Sequence, residues 1–476
     1  MNSYKRSNQV KLALLFIYIL GGVTFSIKIL DVTEYLVEYC CVLLSYYFVG
    51  IIFLAFIFKA STVFIFEPII LVGFLEFMTY SVAPLISILT HETDLRGHYI
   101  MDGCLKATLI YVVSFLAILL GYYGIFNERN KYEQLEWDNE PLLNDVEYEN
   151  EGTKQKVVIV SLGMWLLGFI FFTRYFINQG YGVLYILTLG MAGNADRTQV
   201  VESSIDVLFN MRFFMPTACL YISQYSKKKW LAVVLYTITF MEFMAYGFRN
   251  ILVLLIAAPL VVYYAKRMKM PSNKTIMWIL VSLFVLIGVV EIFRASVRQG
   301  MGVVGADWER LNLMSLWRAC QGNFDLYKTL YGCVTYVPSQ HFYTLGDTLI
   351  ILTLVTCIPR AIWPGKPVSY VRELSAQFIG AQALKEAWAL STFCEYYVEF
   401  GILGCIICSF ILGKFCSKMK KWYMRRDRNI DSIIMYAVVY PMLMLLAVRG
   451  YMPINFWQII FLIAPVYAMK ILKKAR

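Results

Sequence analysis

Apolar runs about as long as a bilayer-crossing helix, roughly 17–25 residues, recur along this chain and leave few folds open to it. Twelve are read, at about 10–28, 36–58, 62–89, 103–125, 157–177, 205–223, 230–247, 250–265, 275–293, 398–413, 432–448 and 454–470. Hydrophobic residues make up 59% of the chain, far above a soluble globular composition. The first run lacks a small-residue cleavage site and reads as a retained helix. The expected fold is therefore an all-α polytopic membrane protein with about 12 transmembrane helices. The formal charge of +11 invites a nucleic-acid reading, but the charges follow topology instead, and no nucleic-acid partner is expected.

Lysine and arginine in the loops set the orientation. With the N-terminus in the cytoplasm, the inner side carries 26 Lys plus Arg, including "KKK" at 227–229 and "KMKKWYMRR" at 418–426. The outer side carries 17, nine of them in one long loop that the rule does not count. Both termini are then cytoplasmic, as is the acidic segment 127–156. Two outer connections, about 178–204 and 294–397, are too long to be mere links. The second holds four tryptophans and the apolar stretch "GDTLIILTLVTCIP" at 346–359. That stretch is too short to span and reads as a re-entrant or interfacial helix. The organisation expected is helices 1–9 in 1–293, a folded outer cap in 294–397 and helices 10–12 in 398–476.

The two sides use different cations. The outer side has 12 Arg and 5 Lys, the inner side 7 Arg and 19 Lys. Arginine is the better choice where a planar fork must grip phosphate oxygens. Arg174, Arg212, Arg249, Arg294, Arg298 and Arg449 sit where helices meet the outer interface. Each alone fits an interfacial anchor; together they point to an anionic ligand. No DxD, HExxH or P-loop is present, and no metal or cofactor is expected. Of the histidines, His91 and His98 fit a solvated loop, whereas His341 lies in the cap beside aromatic residues and suits a base, a sugar contact or packing. The eleven cysteines read as small buried thiols. Cys405 and Cys408 have CxxC spacing within a span, and Cys320 and Cys333 share the long loop and are close enough in sequence to pair.

"IPRAIWPGKP" at 358–367 resembles the Pro-Arg, aromatic-Pro, Lys-Pro segment in the large outer loop of bacterial oligosaccharide repeat-unit polymerases, the Wzy-type O-antigen and capsule polymerases. "STFCEYYVEFGILG" at 391–404 is similar to their Ser-Thr, Glu, aromatic and Phe-Gly pattern. "YGFRN" at 246–250 and "VRG" at 448–450 resemble their Gly-x-Arg turn and their Arg-Gly after the penultimate helix. The resemblance covers mainly 240–460. It implies a glycosyltransferase C-type membrane fold in the bacterial plasma (inner) membrane, with the active site facing outward. The substrates it implies are oligosaccharides linked to undecaprenyl diphosphate, and the family leads us to expect a chain-length regulator protein as partner.

On that reading, the growing chain is the donor, and a sugar hydroxyl of a new lipid-linked unit attacks its anomeric carbon. Charge develops on the departing diphosphate, so fixed cations stabilise the transition state. Arg249, Arg294, Arg298, Arg360, Lys366 and Arg449 are the candidate diphosphate ligands. Glu395 is the first candidate base and His341 the second. An O-antigen ligase shares topology and donor, and a lipid-linked oligosaccharide flippase shares the helix number. The large outer loop favours a polymerase over the flippase.

Overall fold

The computed structural model describes residues 2–59, 66–124 except 96, 149–178, 207–246, 249–267, 324–356, 390–423 and 429–474, with isolated positions in 271–285 and 358–374. Among these the protein is helical, apart from a hairpin of two short strands, β1 (Asp94–Leu95) and β2 (His98–Tyr99). The helices are α1 (Asn2–Lys28), α2 (Leu36–Lys59), α3 (Pro68–Leu89), α4 (Cys104–Tyr123), α5 (Glu151–Asn178), α6 (Phe214–Tyr225), α7 (Lys229–Tyr246) and α8 (Arg249–Arg267). They continue with α9 (Tyr327–Tyr336), α10 (347–355), α11 (Thr392–Tyr423), α12 (Ile430–Val448) and α13 (Met452–Lys474). Eight of them, α1 to α5 and α11 to α13, are long and apolar enough to cross a membrane. Helices suit that solvent because each backbone group is satisfied within its own segment. The helices α6 to α8 fall on the apolar runs read at 205–223, 230–247 and 250–265. The run at 275–293 lies largely outside the described residues.

α4 and α11 run parallel and touch backbone to backbone. A Cβ added at Gly121 would sit 2.2 Å from the carbonyl oxygen of Phe410, and one at Gly413 would sit 2.1 Å from that of Ile118. Small residues at such crossings let apolar helices gain dispersion contacts that larger side chains would block. α12 is almost wholly buried and α1 almost wholly exposed, so the bundle is built around the former.

Ion pairs gather at one end of the bundle. Lys420 at the end of α11 meets Glu67 before α3 at 2.8 Å, and Lys473 at the end of α13 meets Asp431 of α12 at 3.0 Å. The Tyr436 hydroxyl of α12 donates to the Phe66 carbonyl at 2.6 Å, joining the two clusters. We call this the lower end. α11 and α13 begin at the opposite, upper end, and there the 324–356 segment folds back onto them.

Candidate functional site

At the upper end, the strand-like lead into α11 pairs with the turn between α12 and α13. Ser391 and Arg449 form an antiparallel bridge, and the Gly450 N–H donates to the Leu390 carbonyl at 2.9 Å. Gly450 is needed for that approach: a Cβ there would lie 2.8 Å from the Ser391 carbonyl oxygen. Tyr451 follows with φ of 117°, a conformation that L side chains rarely adopt.

Glu395 closes this turn. Its carboxylate is 2% exposed and accepts the N–H groups of Tyr451 and Met452, each at 2.8 Å. These are orphan donors at the start of α13, and an anion there also complements the helix dipole. The residue expected as a base thus uses both oxygens to hold Tyr451 and Met452, directly after the Arg449–Gly450 turn, against α11.

Glu399, one turn further along α11, does the same for a second segment. It is fully buried and accepts the N–H of Gly346 at 2.7 Å, of Leu349 at 3.0 Å and of Thr348 at 3.2 Å. These groups open α10, which lies in the apolar stretch 346–359. The indole N–H of Trp457 in α13 donates to the Thr353 carbonyl at 2.8 Å and ties the other end of α10.

Lys366 is 4% exposed, and its ammonium donates to the carbonyls of Thr356 at 2.7 Å and Ile358 at 3.1 Å. A cation at these carbonyls, just past the end of α10, complements its dipole. Lys366, expected as a diphosphate ligand, thus has two of its three donors on backbone carbonyls. His341 is half-buried, with Nδ1 2.6 Å from the Phe342 carbonyl oxygen. Arg249 begins α8, but its side chain lies outside the described residues, as do Arg294, Arg298 and Arg360 altogether. Arg212 is packed in the core: it is fully buried, 3.6 Å from the Phe209 ring centroid, and donates to the Phe209 carbonyl at 3.0 Å.

The cysteine readings also resolve in part. Cys333 and Cys405 are buried free thiols, and Cys320 lies outside the described residues. Among the described residues no group of three or more His, Cys, Asp and Glu side chains gathers where a metal ion could be held.

Sequence reasoning singled out Glu395 and passed over Glu399. The available signal was the four-residue spacing of two acids on an otherwise apolar helix, which places both on one face.

The chain matches the family model described as O-antigen polysaccharide polymerase Wzy over residues 11–476. No curated protein and no solved structure matches it. The segments 391–404 and 448–450, joined at the upper end, are among those that suggested the resemblance, and the match extends it to nearly the whole chain. The protein is a multi-pass membrane protein that belongs to the O-antigen polysaccharide polymerase Wzy family, and it polymerises O-antigen repeat units.

Proposed function

We propose that polymerisation takes place at the upper end of the bundle, that this end faces the outside of the plasma membrane, and that the donor is a chain linked to polyprenyl (undecaprenyl) diphosphate. An acceptor hydroxyl attacks the reducing-end anomeric carbon. The bond from that carbon to the diphosphate oxygen breaks, its electron pair leaves with the lipid diphosphate, and the hydroxyl proton is released. Twelve spans, a cap formed by 294–397 and a glycosyltransferase C-type arrangement belong to the same reading.

One observation carries this placement. "VRG", one of the segments of the family resemblance, is paired to the lead into α11, with Glu395 holding the two residues after it, and the stretch leading into "IPRAIWPGKP" is fastened to the same helix by Glu399. Arg449 is thereby held on a rigid turn, as a group that stabilises developing charge needs to be. Arg249, Arg294, Arg298 and Arg360 would complete the diphosphate site, with Lys366 as scaffold. His341 is the candidate proton acceptor in place of Glu395. Ile350, Leu354, Ile362 and Trp363 expose apolar surface beside this site, as suits a segment against acyl chains and lipid tails.

The test is turnover of purified protein on lipid-diphosphate-linked repeats. Arg449→Lys keeps the charge and loses the fork, and should slow turnover about tenfold or more. Normal turnover in Arg449→Lys and Arg449→Ala would place the diphosphate elsewhere.

A further inference from the structure

α11 is not one helix. It breaks directly after Glu399, with Phe400 at φ −140°, ψ 15° and Gly401 at φ 65°, ψ −152°. The break turns two carbonyls out of the helix ladder. Val398 and Glu399 instead accept the N–H groups of Thr344 and Leu345, each at 3.0 Å. The backbone of 344–345 therefore takes the place of the missing helical turn. The Glu399 carboxylate then accepts the next three available amides, of Gly346, Thr348 and Leu349. The fit is tight on both sides: a Cβ at Gly401 would lie 3.3 Å from the Tyr343 ring, and one at Gly346 would lie 3.2 Å from the Phe400 ring. Gly346 itself has φ of 99°.

An interrupted membrane helix normally leaves backbone groups that need partners, and such breaks are tolerated where protein buries them or where they line a cavity. Here the partner is the segment that leads into the basic stretch 358–367. Beyond α10, Lys366 fastens the same segment to its own carbonyls at Thr356 and Ile358. The unit 344–366 is thus held by an acid at its start and a lysine at its end.

We propose that Glu399 is a positioning residue of the polymerase. It seats the 344–356 segment in the break of α11, one helical turn from the place where Glu395 seats Tyr451 and Met452 just after Arg449, so that the helix start sets the distance between the two basic segments. This rests on the placement of the reaction at the upper end. A carboxylate suits the task because it accepts several N–H groups at once, whereas an amide offers one oxygen and turns donors toward donors.

The experiment uses full-length protein in nanodiscs with lipid-diphosphate-linked repeats. Spin labels at Leu354 and Ile411, 61% and 59% exposed, report the distance from α10 to the lower part of α11. In Glu399→Gln, turnover per folded molecule at saturating substrate should fall about tenfold or more, with a smaller change in KM, and the distance distribution should broaden. Unchanged turnover and distance overturn the proposal. Lost turnover with an unchanged distance overturns it too, because the carboxylate would then act on the reaction directly. Should Glu399→Gln fail to fold, Trp457→Phe, which releases the Thr353 carbonyl from the other side, must broaden the same distribution, and a sharp one refutes the idea. Arg449→Ala, run alongside, separates the two readings: full activity there removes the placement of the reaction, whereas an inactive Arg449→Ala beside an active, sharp Glu399→Gln removes only the role of Glu399.

Discussion

Glu395 offers the sharpest test, because a base and a backbone anchor respond differently to the same substitutions. The carboxylate accepts two N–H groups at 2.8 Å from within the protein. A hydrogen bond to a charged group is worth about 1.5–3 kcal/mol, so Glu395→Ala removes about 3–6 kcal/mol by loss of both. Glu395→Gln keeps one acceptor oxygen and should lose about half as much. One of these donors is Tyr451, whose φ of 117° must be held against its own preference; releasing it should loosen Arg449 as well. The assay is denaturant unfolding of the purified protein in micelles beside turnover of the folded fraction. An anchor predicts stability in the order Glu, Gln, Ala, with turnover falling in step. A base contributes on the order of a hundredfold or more in rate, and its loss need not touch stability. A Glu395→Gln protein as stable as the native one, yet slowed a hundredfold, would refute the anchoring role.

Two further expectations concern packing and charge. Gly413→Ala places a Cβ 2.1 Å from the Ile118 carbonyl oxygen, so α4 and α11 must part; overpacking of this kind costs about 1–3 kcal/mol, and a thermal midpoint equal to that of the native protein would show that the helices are not so close. Asp325, just before α9, is held above the ordinary carboxyl range by burial, with Lys328 opposing and Glu92 adding to the shift. An acid raised in the folded state binds more protons there than in the unfolded chain, so stability falls as pH rises through the raised value. Asp325→Asn should flatten that fall in an unfolding series across pH, and an unchanged slope would contradict it.

The sequence by itself determined which stretches are helices in lipid and which family the chain resembles. Apolar runs are local and additive, so the helices α1 to α8 and α11 to α13 fall on the apolar runs of the sequence. The motifs at 358–367, 391–404 and 448–450 pointed to the family that the comparison then showed across 11–476. Tertiary structure alone decided what individual charges do. Lys366, which reads as a phosphate ligand in "WPGKP", serves backbone carbonyls, and Arg212, which reads as an anchor, lies in the core. Glu395 and Glu399 are both glutamates on an apolar helix, and nothing local says what either one holds. Their partners are backbone N–H groups about fifty residues away. A main-chain amide has no side-chain signature, so its demand for an acceptor appears only when the fold brings a bare helix start against a carboxylate. The break at Phe400 and Gly401 is hidden for the same reason: it is stable only because 344–345 supplies the donors that the helix gave up.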